Sequence, residues 1–476
     1  MTETVSEASL ILYIKEKFHN TADLFVETME WHGKTAIVCY YSVLTEASLT
    51  HEQLELIRKR AEKGVPDWGE TAASTILPFS MSTLVDTVCV GSVAVVFLDT
   101  NQLLKLSIPK FAVRSPDEPD NEHVIRGAHE GFVESFDANM ALIRKRIPVA
   151  DLVVRSIRLG GNTNTFISYV YMDSIADVDV VEDVKKKLED YKTNGIVSSG
   201  QIEDSLEDSV WSPFPQLLTT ERPDRVAANL LEGKIAIFTD HDPTALIAPI
   251  TFFSFYQSPD DFNKRVLVGT FFRLLRLLSF ITAIFLPAFY IAVVSFHSEI
   301  LPIQLSKQVK VAVNDIPYRP IIEALILELF IELIRESSIR LPTPIGQTIG
   351  IVGGLIIGDA IVNAGLVSNL MVIVVALTAI SSFVVPSVEM NTTIRLLRFP
   401  FMFAASLFGF FGMVIMTLVL FIHLMNVSSL KQPYLSPVVP FEPSRFKDVL
   451  FRVPYFRLKK QQKTFTHGAD KEGGDN

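Results

Sequence analysis

Two apolar runs, each long enough to cross a bilayer, stand back to back between Leu341 and Pro386 and are joined near Ala364–Asn369. The first carries glycine at every fourth place: Gly346, Gly350, Gly354 and Gly358. On a helix turning about 100° per residue these positions stack along one side. Glycine costs about 1 kcal/mol against alanine inside a helix, so a register of this kind points to close backbone approach between helices in lipid. Thr348, Asp359 and Asn363 project from roughly the opposite side. One face is therefore built to pack and the other is polar at membrane depth, where a carboxylate needs a partner or water. Two readings fit. The helix packs in a bundle whose neighbour satisfies Asp359, or its polar face borders a water-filled passage.

The same patterning predicts an apolar domain over 264–426, with spans at about 277–296, 345–364, 367–386 and 401–425. Arg273 and Arg276 suit the cytoplasmic interface at the start of the first span, and Pro287 should kink it. Segment 321–340 is different. It places Glu328, Glu332 and Glu336 at i, i+4, i+8 among Leu, Ile and Phe, with Arg335 close by. A lipid-facing span would be costly with such a stripe, so the pattern predicts an amphipathic helix that does not cross. Its charges either stay solvated at the membrane surface or face an aqueous vestibule or another subunit. Glu389–Arg398 reads as a polar connection, and His423 as a buried or interfacial hydrogen-bonding group. The tail, 427–476, is proline-punctuated and then basic, which favours the cytoplasm and anionic membrane lipid. Both ends inside imply an even number of crossings, here four.

Residues 1–263 alternate helix and strand signals. Strand-like runs at Asp23–Trp31, Lys34–Ser42, Ser92–Asp99 and Gln102–Phe111 form a first α/β subdomain, 1–119, with helices around Leu10–Phe18 and Ser48–Lys63. The proline-rich acidic break Arg114–Glu122 separates it from a second, 120–263. There Leu152–Leu159 and Thr165–Met172 flank a Gly160–Gly161–Asn162 turn, Lys234–Asp240 and Thr244–Ile250 form a hairpin, and Gly131–Arg146, Val178–Tyr191 and the stretch after Asp224 are helical. The fold class is thus multidomain: a cytoplasmic α/β N-terminal region of two subdomains, then an α-helical integral membrane domain.

The chain has 476 residues and a net charge of −10, contributed mainly by its first half, which argues against a nucleic-acid partner. Cys39 and Cys89 lie in apolar, β-like runs and read as small core residues in a reducing compartment. The polar start, with Glu3 and Glu7, has no charged-then-apolar leader. No catalytic constellation, metal-ligand spacing or cofactor motif is present. Gly33-Lys34-Thr35 lacks the glycine that opens a phosphate loop, and Asp240–His241–Asp242 is read as a polar hairpin turn.

Three segments carry a family resemblance: RGAHEGFVESFDANMALIRKR (126–146), SPFPQLLTTERPD (212–224) and ELIRESSIRLPTPIGQTIGIVGGLIIGDAIVNAGLVS (332–368). With the following span they make the chain resemble, over about Arg126–Ser387, the A subunits of bacterial spore germinant receptors, the GerA family. His241 stands where that pattern usually has glycine, and Ala128–His129 where proline and a basic residue are common. The resemblance implies a protein of the spore inner membrane acting with B and C partner subunits. The B subunit would recognise the nutrient, and the C subunit would be a lipoprotein on the outer side. It further implies a homo-oligomer, a pentamer, forming a nutrient-gated ion channel that triggers germination. Copies of the glycine helix would then ring Asp359 about one axis. Val352, Leu355 and Val362 would border a constriction beside Thr348, Asp359 and Asn363. Glu328, Glu332 and Glu336 would sit near an entrance or at a subunit contact. A non-conducting scaffold and a solute-transporter subunit are the alternatives.

Overall fold

The computed structural model describes residues 7–31, 34–46, 50–52, 54–55, 74–108, 119, 122, 124, 126–258, 260–261, 264–314, 316–443, 446, 449 and 451, excepting the side chains at 305, 312, 314, 343, 344, 347, 349, 352 and 355–357. Most of the expected helix Ser48–Lys63, the break at Arg114–Glu122 and the basic end of the tail lie outside the described residues.

The first sheet contains β1 (Leu24–Trp31), β2 (Lys34–Tyr41), β3 (Ser74–Pro78), β4 (Val93–Phe97) and β5 (Gln102–Leu106). Its order is β1-β2-β4-β5-β3, with every neighbour antiparallel. The period-2 alternation of a strand sends β4 into two cores. Ala94 and Val96 pack on the side of α1 (Glu7–Lys17), with Leu10, Ile14 and Phe18, while Val93, Val95 and Phe97 face the other way. The second sheet contains β6 (Leu152–Leu159), β7 (Thr165–Met172), β8 (Leu218–Thr220), β9 (Ile235–Thr239) and β10 (Ala245–Ala248). Its order is β6-β7-β9-β10-β8, again antiparallel throughout. Counted within each sheet, both run 1-2-4-5-3, so one topology is used twice.

A buried clamp joins the two units. Arg144, at the end of α3 (Phe136–Arg146), forks onto Asp23 of the first unit through Nε (2.9 Å) and Nη2 (2.8 Å) and stacks over the Tyr41 ring at 4.0 Å. The Val154 amide donates to Thr21 Oγ1 and its carbonyl accepts from the Ala22 amide. Cys39 and Cys89 are buried in this core as free thiols, and burial pushes the Cys89 thiol up to about 11.

The helical half begins with α7 (Val266–Ser295), following α2 (Met81–Cys89), α4 (Val178–Asp190), α5 (Ser199–Leu206) and α6 (Pro223–Leu231) in the sheet half. Then come α8 (Ile303–Asn314), α9 (Pro320–Arg340), α10 (Thr343–Asn363), α11 (Asn369–Phe383) and α12 (Val388–Asn426). Arg273 and Arg276, expected as interface anchors, are buried. Arg276 forks onto Asp261 at 2.6 and 2.9 Å, and Arg273 joins it at 3.4 Å, fixing the base of α7 to the sheet half.

The expected single span 401–425 is corrected by the structure. Within α12, Gly409 takes φ 59°, ψ −139°, outside the helical region. A Cβ on Gly412 would lie 2.1 Å from the Ala404 carbonyl oxygen, a distance a continuous helix cannot give across two turns. The chain therefore folds back into two arms, 388–408 and 410–426. Thr393 on the first arm bonds the Pro213 carbonyl, and His423 on the second meets Ser212 Oγ at 2.9 Å, so both arms have their bases on the same loop of the sheet half. Their tip packs on the end of α7, where His297 stacks on Phe410 with ring centroids 4.8 Å apart. After the second arm, Ser429 and Tyr434 donate to the carbonyls of Gln216 and Pro215.

Segment 321–340, expected as a non-crossing amphipathic helix with its acidic stripe at the membrane surface, a vestibule or another subunit, instead turns part of that stripe onto its own chain. As α9 it runs antiparallel to the first arm, with Glu328 on Arg398 and Glu332 on Arg395. Next, α10 folds back along α9, and α11 starts beside Glu323 and ends beside Arg335. Six helical segments (α7, α9, α10, α11 and the two arms) thus alternate between the sheet side and the far side.

Candidate functional site

On α10 the polar positions face outward. Thr348, Asp359 and Asn363 are exposed, and among the described residues Asp359 and Asn363 have no hydrogen-bond or ion-pair partner. Val362 is half-buried against the core, while the side chains of Val352 and Leu355 lie outside the described set. The glycine stripe divides. A Cβ at Gly346 would lie 2.8 Å from the Ser338 carbonyl oxygen, and one at Gly350 3.8 Å from Ser338 Oγ. The third contact with α9 is made by Gly353, near Ile334, not by Gly354. The reason is the 3.6-residue turn: positions spaced by four drift about 40° per step, whereas i, i+4, i+7 stay on one face. Gly354 and Gly358 consequently meet nothing within 4 Å. Among the described residues, nothing covers the half of the stripe next to Asp359.

The glutamate stripe has a matching stripe that sequence reasoning missed. Asn391, Arg395 and Arg398 stand at i, i+4, i+7 on the first arm, opposite Glu328, Glu332 and Arg335 at the same spacing on α9. Arg398 Nη1 donates to Glu328 Oε2, with both side chains 1% exposed. Arg395 Nη1 donates to Glu332 Oε2 at 2.6 Å, Arg335 lies 4.0 Å from Glu332, and its guanidinium stacks over Phe383 at 4.5 Å. Glu336 faces away, paired with Arg340 on the exposed surface. Glu323, five residues before Glu328, accepts from the amide of Ser368 at 2.9 Å, and Ser368 caps α11 by accepting from the Met371 amide.

Carboxylates also crowd the junction between the two halves. Glu203 on α5 lies near Glu207, Asp204 and Glu389, the first acidic residue of α12. Burial, and then these three negative neighbours, push its carboxyl up to about 8. A folded-state value above the unfolded 4.5 means the group favours folding while protonated. That contribution is complete below about pH 4.5 and is lost as pH rises to about 8. Glu203→Gln is therefore expected to raise Tm by roughly 2–4 °C near pH 9 and to change little near pH 4.5. Thermal unfolding of the full chain at the two pH values measures the difference.

His241, in the β9–β10 turn, has φ 67°, the left-handed conformation that glycine adopts without strain. No group of three or more His, Cys, Asp or Glu side chains among the described residues is placed to hold a metal.

These features define a class: a twice-used antiparallel sheet carrying a helical bundle, in which Val266–Ser295 and Val388–Asn426 are long and apolar enough to cross a membrane. Residues 12–464 match the family described as Bacillus/Clostridium GerA spore germination protein. Relatives include the uncharacterized membrane protein YfkQ of Bacillus subtilis, 42% identical over 84% of this chain and 78% of its own length. Spore germination protein KA of the same organism is 36% identical over 96% of this chain and 86% of its length. Spore germination protein GerQA of Bacillus cereus is 35% identical over 89% and 86%. The crystal structure of the N-terminal domain of the A subunit of the Bacillus megaterium spore germinant receptor GerK3 aligns with 27% identity and a TM-score of 0.40, covering 52% of this chain and 95% of that one. The chain belongs to the GerA family of spore germination proteins.

Proposed function

We propose that this chain is the A subunit of a spore germinant receptor that oligomerises, as a pentamer, in the spore inner membrane, with B and C subunits as partners. In this reading α10 lines a nutrient-gated cation passage. The observation that carries it is the pairing of an unpartnered, exposed Asp359 and Asn363 with the uncovered Gly354 and Gly358 on the same apolar helix. A carboxylate on such a helix is stable when it meets water, and a ring of carboxylates favours cations. The glycines would let neighbouring copies approach closely. Val352, Leu355 and Val362 would form the apolar constriction, which closes by dewetting. The alternating direction of six segments fits six crossings, replacing the four read from the sequence. It keeps both the sheet half and the tail on the cytoplasmic side.

In planar bilayers the purified assembly is expected to give unitary cation currents, and Asp359→Asn to lower conductance and cation preference several-fold with expression unchanged. Silent bilayers, together with cysteines at 359 and 363 that no aqueous thiol reagent reaches in resting or triggered spores, would replace the channel with a scaffold.

A further inference from the structure

The seam between α9 and the first arm of α12 holds more positive than negative charge. Among the described residues, Arg335, Arg395 and Arg398 are paired with two carboxylates, Glu328 and Glu332. The flanking acids do not make up the difference: Glu323, five residues before Glu328, points to another face of α9, with Oε2 on the Ser368 amide and Oε1 unpartnered, and Glu336 is paired with Arg340. The surplus cannot be removed by titration, because a guanidinium keeps its proton. Nor are all its donors satisfied among the described residues, although Arg395 also donates through Nη2 to Thr392 Oγ1 at 2.9 Å. Arg398 Nε and Nη2, Arg395 Nε and Arg335 Nε are buried without partners, against two unpartnered acceptors nearby, Glu328 Oε1 and Asn391 Oδ1. Donors exceed acceptors, and an uncompensated charge inside a bundle is expensive. At the seam's outer edge Arg395 is 19% and Glu332 31% exposed, so the cluster is reachable from the side of the bundle.

We propose that this seam binds one singly charged phosphate group, carried by an anionic lipid headgroup or as free phosphate. A single negative charge balances the three guanidiniums against the two carboxylates. Phosphate oxygens match the Nε/Nη2 edge that Arg398 leaves open and the single Nε left on Arg395. The site rests on the geometry of one chain and does not depend on the passage along α10.

The test uses full-length protein, stripped of lipid in detergent, with phosphatidylglycerol, phosphatidylcholine and inorganic phosphate as separate probes. Native mass spectrometry reads bound species and thermal unfolding reads stabilisation. Expected is a one-to-one adduct with phosphatidylglycerol or with phosphate, weakened about tenfold or more in Arg395→Gln, as loss of a charge-assisted pair predicts. That variant leaves the Glu328–Arg398 pair in place. A phosphatidylglycerol adduct without phosphate binding assigns the lipid as source; the reverse assigns the free ion. Should Arg395→Gln fail to fold, Arg395→Lys, which keeps the charge but not the planar fork, is expected to weaken the adduct several-fold. The proposal is overturned if the wild-type protein binds neither probe, if phosphatidylcholine binds as tightly as phosphatidylglycerol with no phosphate binding, or if both arginine variants bind as the wild type does.

Discussion

Arg398→Ala, which takes from buried Glu328 its hydrogen-bonded ion-pair partner, is expected to destabilise the helical half by about 3–5 kcal/mol, the usual cost of breaking a buried ion pair from one side. The size follows from burial. Both side chains are 1% exposed, so water cannot take over the lost partner. It does not follow from the pair's net worth, since desolvating two charges offsets most of their attraction. The two costs separate in a double variant. Glu328→Leu with Arg398→Met removes both charges and keeps similar volume, and should recover most of the loss. Chemical unfolding of the four proteins in detergent, without added phosphate or lipid, supplies the cycle. A single variant costing under about 1 kcal/mol would place the pair in the range of solvated surface bridges and disprove its burial.

The physical reason this pair was not read from sequence is distance along the chain. Glu328 and Arg398 are 70 residues apart, and each looks like a membrane-surface charge in its own window. Their common spacing, i, i+4, i+7 on two helices, was the available signal, and it becomes one only when the helices are known to be antiparallel neighbours. The strands were legible where local rules decide. The runs Leu152–Leu159 and Thr165–Met172, closed by a glycine turn, emerged at the expected bounds. Short edge strands were not. Ser74–Pro78 is half-exposed and ends in proline, and Leu218–Thr220 has only three residues. Without them the repeated 1-2-4-5-3 order could not be seen, because that order is set by which strands meet across the sheet and the two halves share no obvious sequence pattern. On α10, Thr348, Asp359 and Asn363 are exposed, and it was their spacing opposite the glycines that drew them together in the sequence. The division of the α10 glycine stripe was not legible, because it depends on which neighbour α9 turns out to be.

The reversal at Gly409 was hidden in a continuous apolar run, where one more glycine carries no distinct signal. Its dependence on glycine is nonetheless large. A side chain there meets two penalties: about 1–3 kcal/mol for a backbone conformation rarely open to L residues, and roughly 1–3 kcal/mol of overpacking. The second arises because a Cβ would sit 2.9 Å from His297 Nε2 and 3.2 Å from Phe296 Cβ. Gly409→Ala is accordingly expected to be among the most damaging alanine substitutions in the helical half. His297→Ala in the same chain should relieve only part of the steric share and none of the backbone share. Gly365 provides the control: its φ is also positive, 65°, but nothing lies within 4 Å of a Cβ, so Gly365→Ala reports a backbone cost alone. Unfolding midpoints of the three variants order the effects. If Gly409→Ala cost no more than Gly365→Ala, the close approach to α7 would not exist. The reversal would then lose its support, and α12 would have to be reconsidered as one long helix.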